Sequence, residues 1–228
     1  MRAAPPPYRF VLMLELGLKI LLSYLLGSLM GSMIMGRLVG GVDIRTMGSG
    51  NAGGTNALRT QGWMFALGVV AIDVGKGMIA TGVIPGLNLP FAAEDPEISR
   101  LWLMIACATA SVVGHVWPVW HGFRGGKGAA TLMGTLAVLA PWLLFPIILI
   151  WAWVLVLFGY VGLATMVASV SAPLAVALMR LPHDQPLFIY CAVLSLYIIF
   201  SHRSNIQRMR AGTEHRNDRL MLFKKNRG

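Results

Sequence analysis

Three polar segments in an otherwise apolar chain hold the side chains best suited to chemistry. The first runs Gly48-Ser-Gly-Asn-Ala-Gly-Gly-Thr-Asn-Ala-Leu-Arg59. Glycine reaches positive φ without strain, so successive backbone N–H groups in such a run can curl around an anion. Beside Gly50 and Gly53, the side chains of Ser49, Asn51, Thr55 and Asn56 add neutral donors, and Arg59 adds a fixed charge. A merely flexible turn would use the glycines but not this density of donors. The second segment contains Gly114-His115 and then His121-Gly-Phe-Arg-Gly-Gly-Lys127-Gly128. Here Gly125, Gly126 and Gly128 could bare backbone amides to an oxyanion, with Lys127 as a point charge. His115 reads equally as a buried hydrogen-bonding residue at a helix end or as a site residue. A nucleotide P-loop is excluded, because no Ser or Thr follows Lys127 and no strand precedes the loop. The third segment is His202-Arg-Ser-Asn205-Ile-Gln-Arg208-Met-Arg-Ala-Gly-Thr-Glu214, in which His202, Asn205 and Gln207–Arg208 fall near one face of any helical continuation. A basic stretch beside a membrane span usually anchors to anionic lipid. That suffices for Arg216 to Arg227, but an anchor has no use for His202, Asn205 and Glu214. Together the three segments point to a phosphate-bearing ligand bound at a membrane surface.

The elements that must carry these segments are membrane helices. Of 228 residues, 56% are hydrophobic and only 12% charged, against roughly 25% charged in soluble domains. Mean hydropathy is +0.67. So few charges cannot cover a soluble fold of this size, which excludes an ordinary soluble enzyme, a disulfide scaffold and intrinsic disorder. Cys107 and Cys191 sit in apolar runs as fillers. The first apolar run, from Phe10 to about Met35, is too long for the apolar region of a cleaved signal and reads as a retained span.

Spans of about 20 residues fit residues 12–37, 62–84 and 101–120. Pro141, the glycines near 159–162 and the prolines at 182 and 186 divide the remaining tract into helices near 129–140, 142–158, 161–180 and 186–201. The expected fold is all-α, a polytopic membrane helix bundle of about seven crossings, or five if the middle pieces fuse. Either odd number brings the three polar segments to one side. Most Lys and Arg lie there, so the positive-inside rule puts that side in the cytoplasm, with the N-terminus outside and the C-terminus cytoplasmic. Gly27, Ser28, Gly31, Ser32, Gly36 and Gly40 read as a helix-packing stripe. Lys19 lies within the first span. Asp73 and Lys76, three residues apart in the second, read equally as a structural ion pair and as support for a site. A single domain is expected over residues 1–228, with a short N-terminal extension (1–11) and a basic C-terminal tail (215–228).

The quoted segments, written Gly-Ser-Gly-Asn-x-Gly-x-Thr-Asn-x-x-Arg, Gly-His-x-x-Pro…Phe-Arg-Gly-Gly-Lys-Gly-x-Ala-Thr and His-Arg-x-Asn-Ile-x-Arg-x-x-x-Gly-Thr-Glu, resemble the three signature segments of the bacterial acyl-phosphate:glycerol-3-phosphate acyltransferase family, PlsY. Asp73-x-x-Lys76-Gly77 resembles its second span. The resemblance is ordered along most of the chain, leaving out the N-terminal extension and the tail after Glu214. The departures are Gly54, Ala129 and Met209, where the family usually has Ala, Val and Leu. The resemblance implies acyl transfer from acyl phosphate to the 1-hydroxyl of glycerol 3-phosphate, giving lysophosphatidic acid and phosphate, the first committed step of phospholipid synthesis. It further implies a multi-pass inner-membrane enzyme working at the cytoplasmic face on these two substrates among membrane lipids. No cofactor, metal or nucleic acid is expected, and a monomer is expected with a homodimer as the alternative.

No histidine is followed five residues later by an acid, so the His-x-x-x-x-Asp pair of other glycerol-phosphate acyltransferases is absent, as is a Gly-x-Ser-x-Gly nucleophile elbow. The chemistry expected is therefore positioning and electrostatics. Ser49, Lys127, His202 and Asn205 are the catalytic candidates. Gly50, Asn51, Gly53, Thr55, Asn56, Arg59, His115, Gly125, Gly126, Gly128, Arg208 and Glu214 are the substrate-binding ones. The general base is either His202 or, preferred here, an oxygen of the substrate phosphate. The alternative function is a transporter of phosphorylated metabolites, which would more typically show internal repeats and a midplane site.

Overall fold

The structure is a computed structural model describing residues 6–90, 92, 96 and 98–222, with side chains from Leu14 onward except Arg219. Residues 1–5 of the expected extension, residues 223–228 of the tail, and Glu94, Asp95 and Glu97 lie outside the described residues. Among those described, ten α-helices and a few 3-10 turns account for the regular structure, and Leu89 and Ala92 form only an isolated bridge.

The helices are α1 (Pro6–Gly27), α2 (Gly31–Leu38), α3 (Gly54–Gln61), α4 (Trp63–Gly82), α5 (Arg100–Val116), α6 (Ala129–Leu139), α7 (Leu144–Phe158), α8 (Val161–Arg180), α9 (Gln185–Ser201) and α10 (Arg203–Arg210). Among the described residues, four helical stretches are long and apolar enough to cross a membrane: Trp63–Gly86, Arg100–His121, Pro141–Phe158 and Val161–Arg180. Counting each bent pair, Leu14–Gly27 with Gly31–Leu38 at 45° and Gln185–Ser201 with Arg203–Arg210 at 49°, as one span raises the number to six. The seventh expected crossing is the 11-residue α6. At 1.5 Å per residue it reaches about 16 Å, short of a hydrocarbon core of about 30 Å.

The chain divides into two compact units, Met1–Leu139 and Ala140–Gly228. In the first, α1 packs on α5, and α4 packs on α2, α3 and α6. Small residues set how closely these helices approach. A Cβ on Gly27 would strike the Ser111 backbone, and one on Gly114 the Tyr24 carbonyl. Where α4 meets α6, a Cβ on Gly77 would run into the Thr131 carbonyl and one on Gly134 into that of Val74. Gly40, read as part of the packing stripe, is instead a turn residue at φ 98° with open space around its Cβ position.

The first span is not the continuous helix expected. It breaks at Ser28–Met30, where Met30 is extended at φ −92° and ψ 121°. Such a break inside an apolar span frees backbone groups that lipid cannot satisfy. The second span satisfies them: Lys76 Nζ donates to the Leu29 carbonyl at 2.6 Å, and Asp73 Oδ1 accepts from the Gly31 amide at 3.2 Å. Toward the other end of α1, Glu15 and Lys19 are both buried and paired at 2.7 Å. Lys19 also donates to the Pro85 carbonyl at 2.8 Å, and Arg100 reaches Glu15 at 2.8 Å.

In the second unit α8 packs between α7 and α9, and α10 lies against both α8 and α9. Gly159, at φ 78°, turns α7 into α8. The chain after α10 returns to this turn. The Asn217 amide donates to Gly159 O at 2.8 Å, Arg216 Nε to Phe158 O at 3.2 Å and the Leu222 amide to Val156 O at 3.2 Å. Arg216, expected as a lipid anchor only, is thus built into the protein, because the α7 C-terminus offers carbonyls that lack helical partners.

Candidate active site

The first polar segment folds around Asn56, which α3 buries to 1% exposure. Its Oδ1 accepts from the Ser49 amide at 2.9 Å, and its Nδ2 donates to Ile44 O at 2.9 Å and Met47 O at 3.0 Å. Every polar atom of the Asn56 side chain thus serves the loop's own backbone. Gly48 and Gly50 make the turn at φ 57° and 70°, and a Cβ on Gly48 would collide with Asn56 Oδ1. Gly53 caps α3 through its backbone carbonyl, which accepts from the Asn56 and Ala57 amides. Ser49, Gly50 and Arg59 are exposed, while Asn51, Gly53 and Thr55 are half-buried. Loop, α3 and its terminus therefore form one rigid hairpin-like unit on α4.

The second polar segment hangs from the C-terminus of α5. The Gly125 amide donates to Val116 O at 3.1 Å and the Gly126 amide to His115 O at 3.1 Å. These two amides cap the last turn of α5, a different use from the anion-facing one expected of them. The physical reason is that the helix end must find donors for its final carbonyls. Side chains are excluded at both positions, since a Cβ on Gly125 would meet the His115 carbonyl and one on Gly126 the His115 Nε2. Lys127 is half-buried, and Gly128, buried at φ 87°, leads directly into α6. The preceding turn is pinned to α1: Tyr24 Oη donates to Trp117 O at 2.8 Å and Trp120 Nε1 to Leu25 O at 3.3 Å.

Arg45 joins these two segments. Its guanidinium pairs with Asp43 at 2.8 Å and donates from Nη1 to the carbonyls of His121 and Arg124, each at 3.3 Å. The Arg45 hydrogen bond holds the Asp43 carboxyl below its ordinary range, and the carboxylate raises Arg45 in return. Sequence reasoning missed both residues; an acid and an arginine two apart in a turn were the available signal. Asp73, Lys76 and His115 form a buried cluster beneath, all at most 3% exposed. Asp73 Oδ1 lies 2.9 Å from Lys76 Nζ and 3.3 Å from His115 Nδ1, which is itself 2.9 Å from Lys76 Nζ.

The third segment belongs to the second unit. His202, 5% exposed, sits at the α9–α10 break and its Nδ1 donates to Ile198 O at 2.8 Å. Asn205 Nδ2 donates to Glu214 Oε1 at 2.7 Å, and Arg208 Nε donates to Glu214 Oε2 at 2.6 Å. Buried Glu214 thus fixes the Asn205 amide with Nδ2 turned toward the carboxylate.

Fold and loops define a polytopic α-helical membrane protein whose glycine-rich polar loops lie at helix ends. The sequence profile described as Glycerol-3-phosphate acyltransferase matches residues 17–212. A glycerol-3-phosphate acyltransferase of Chlorobaculum tepidum is 36% identical over 86% of this chain and 94% of its own length. One from Chlorobium limicola is 35% identical over 90% and 97%. Among solved structures, the integral membrane glycerol 3-phosphate acyltransferase PlsY (YgiH) in its glycerol 3-phosphate form is similar at 32% identity and TM-score 0.74, covering 88% of this chain and 94% of that one. Its lysophosphatidic acid form is similar at TM-score 0.72, with the same identity and coverage. The chain belongs to the glycerol-3-phosphate acyltransferase family and is an acyltransferase, which favours the enzyme over the transporter reading.

Proposed function

We propose that this protein transfers a fatty acyl group from acyl phosphate to the 1-hydroxyl of glycerol 3-phosphate at the cytoplasmic face of the inner membrane. The products are lysophosphatidic acid and inorganic phosphate. The observation that carries the reading is the Arg45 clip, which sets the loop that bears Ser49 and leads into the Arg59 helix α3 beside the loop bearing Lys127. Two anionic substrates need two such donor sets close together.

In this reading Arg59 and Lys127 hold phosphate groups, assisted by Ser49, Asn51, Thr55 and the backbone around Gly50, Gly53 and Gly128. Asn56, Gly125 and Gly126 act by shaping the loops. His202 and Asn205 orient glycerol 3-phosphate, and Arg208 and Glu214 hold Asn205. The acceptor oxygen attacks the acyl carbon, the bond from that carbon to the phosphate oxygen breaks, and phosphate departs. The hydroxyl proton passes to a phosphate oxygen of the substrates. Acyl phosphate is already an anhydride, so orientation can supply roughly 7–11 kcal/mol of the barrier, and stabilisation of the carbonyl oxyanion roughly 2.7–4 kcal/mol more.

The test is purified protein in lipidic mesophase with palmitoyl phosphate and glycerol 3-phosphate, measuring phosphate and lysophosphatidic acid together. One-to-one release that is lost in Lys127→Ala and absent with palmitoyl-CoA is the expected result. Folded protein that is silent with palmitoyl phosphate, or that prefers the CoA donor, overturns the proposal.

A further inference from the structure

We propose that His115 is a positioning residue. Its imidazole sets the height of the Gly126–Lys127 backbone, and the buried Asp73–Lys76 pair holds that ring in place. The inference deepens the reading above, which gives the Lys127 loop its role in binding phosphate.

Three observations carry it. First, the ring is fixed on one edge. Lys76 Nζ has only hydrogens to offer, so at 2.9 Å the His115 Nδ1 accepts from it. In a neutral imidazole the proton then sits on Nε2, the edge that faces Gly126. Second, that edge occupies the space a side chain at position 126 would need, since a Cβ there would overlap Nε2 and crowd the neighbouring ring carbons. The loop backbone rests on the ring. Third, His115 also holds the loop through its own carbonyl, which accepts from the Gly126 amide at 3.1 Å. Residue 126 is thus held at two points by one histidine.

The support beneath is equally specific. Lys76 and Asp73 reach the Leu29 carbonyl and the Gly31 amide, the backbone groups released where the first span breaks. Break, charge pair, ring and loop form a continuous stack of contacts within the first unit. His115 is 2% exposed inside that stack, between the charge pair and the loop, which suits a support and not a group that touches substrate.

A double-mutant cycle tests this. Full-length wild type, His115→Ala, Gly126→Ala and the double variant are compared for KM of glycerol 3-phosphate, kcat and thermal unfolding midpoint. Gly126→Ala pushes the loop off the ring, and a displacement of this kind costs roughly 10–100-fold, expected here as a rise in KM. Removing the ring makes room for the new methyl, so the double variant recovers roughly threefold or more of the Gly126→Ala loss. His115→Gln, whose amide can reach the Nε2 position, retains more activity than His115→Ala. If Gly126→Ala does not fold, recovery of folding in the double variant reads the same contact. Additive losses in both KM and midpoint overturn the proposal. So does a fall in kcat at unchanged KM for His115→Ala, which would make the ring catalytic. An inactive but folded wild type would sink the proposed function instead, while the cycle in unfolding midpoint still decides the contact.

Discussion

Lys76 Nζ lies 2.6 Å from the carbonyl oxygen of Leu29, the residue at which the first span breaks. A cation three residues from an acid on an apolar helix looks like a simple ion pair, yet this one also satisfies backbone that lipid cannot. Lys76→Met leaves Asp73 buried without its cation and the Leu29 carbonyl without a donor. Losing one partner of a buried pair costs about 3–5 kcal/mol. Thermal or denaturant unfolding in detergent should show a loss of that size. Combining Asp73→Asn with Lys76→Met should recover only part of it, because the Leu29 carbonyl remains unpaired.

The crossing of α4 and α6 makes a sharper packing prediction. A methyl at Gly134 meets the Val74 carbonyl, and backbone cannot move aside as a flexible side chain would. Gly134→Ala should destabilise by about 1–3 kcal/mol, the usual cost of overpacking. Gly75 lies on α4 with nothing near its Cβ position. Gly75→Ala should be neutral or stabilise by up to about 1 kcal/mol in the same assay, since a helix interior favours Ala over Gly where the methyl has room. Equal effects at the two positions would contradict the observed crossing.

The Asp43–Arg45 clip has a pH dependence whose direction follows from its chemistry. The Arg45 hydrogen bond lowers the Asp43 carboxyl relative to the unfolded chain. A depressed carboxyl contributes stability that is present above its unfolded value and is lost as pH falls through the folded one. The clip should therefore hold from neutral pH to below about pH 4, the ordinary range of a free Asp. Limited proteolysis at the exposed 122–124 turn reads it directly. Cleavage should stay slow at mildly acidic pH and accelerate only below the ordinary range. Asp43→Asn should be cleaved faster already at neutral pH.

Much of this architecture is legible in the sequence because specific residues punctuate it. Gly159 and the prolines at 182 and 186 bound α8 and α9 almost where the sequence places them, since a left-handed turn and a missing N–H interrupt a helix locally. The break at Ser28–Met30 carries no such mark. Its small residues match a continuous packing stripe, and the groups that satisfy it lie more than 40 residues away on α4. The same limit applies to the loops. Their donor-rich composition identifies them, but composition cannot say that Asn56 turns inward to the backbone or that the Gly125 and Gly126 amides close α5. The Glu15–Lys19 pair was within reach, because a spacing of four places both on one helix face.

The remaining choice is the destination of the acceptor proton. His202 Nδ1 donates to Ile198 O, so in the neutral ring Nε2 is the acceptor nitrogen, as a base requires. Its Nδ1–H is thus oriented by a neutral carbonyl, and the buried acid of this segment, Glu214, is engaged by Asn205 and Arg208. A carbonyl stabilises the imidazolium formed by proton transfer less than a carboxylate would. A substrate phosphate, with its second ionisation near pH 6, takes a proton readily at neutral pH. If the phosphate is the base, His202→Ala raises KM for glycerol 3-phosphate but keeps the acid limb of the kcat/KM profile at about pH 6. If His202 is the base, the variant loses that limb and most of its kcat together. Measuring the profile of wild type and variant from acid to neutral pH separates the two. The expected outcome is a retained limb with a raised KM.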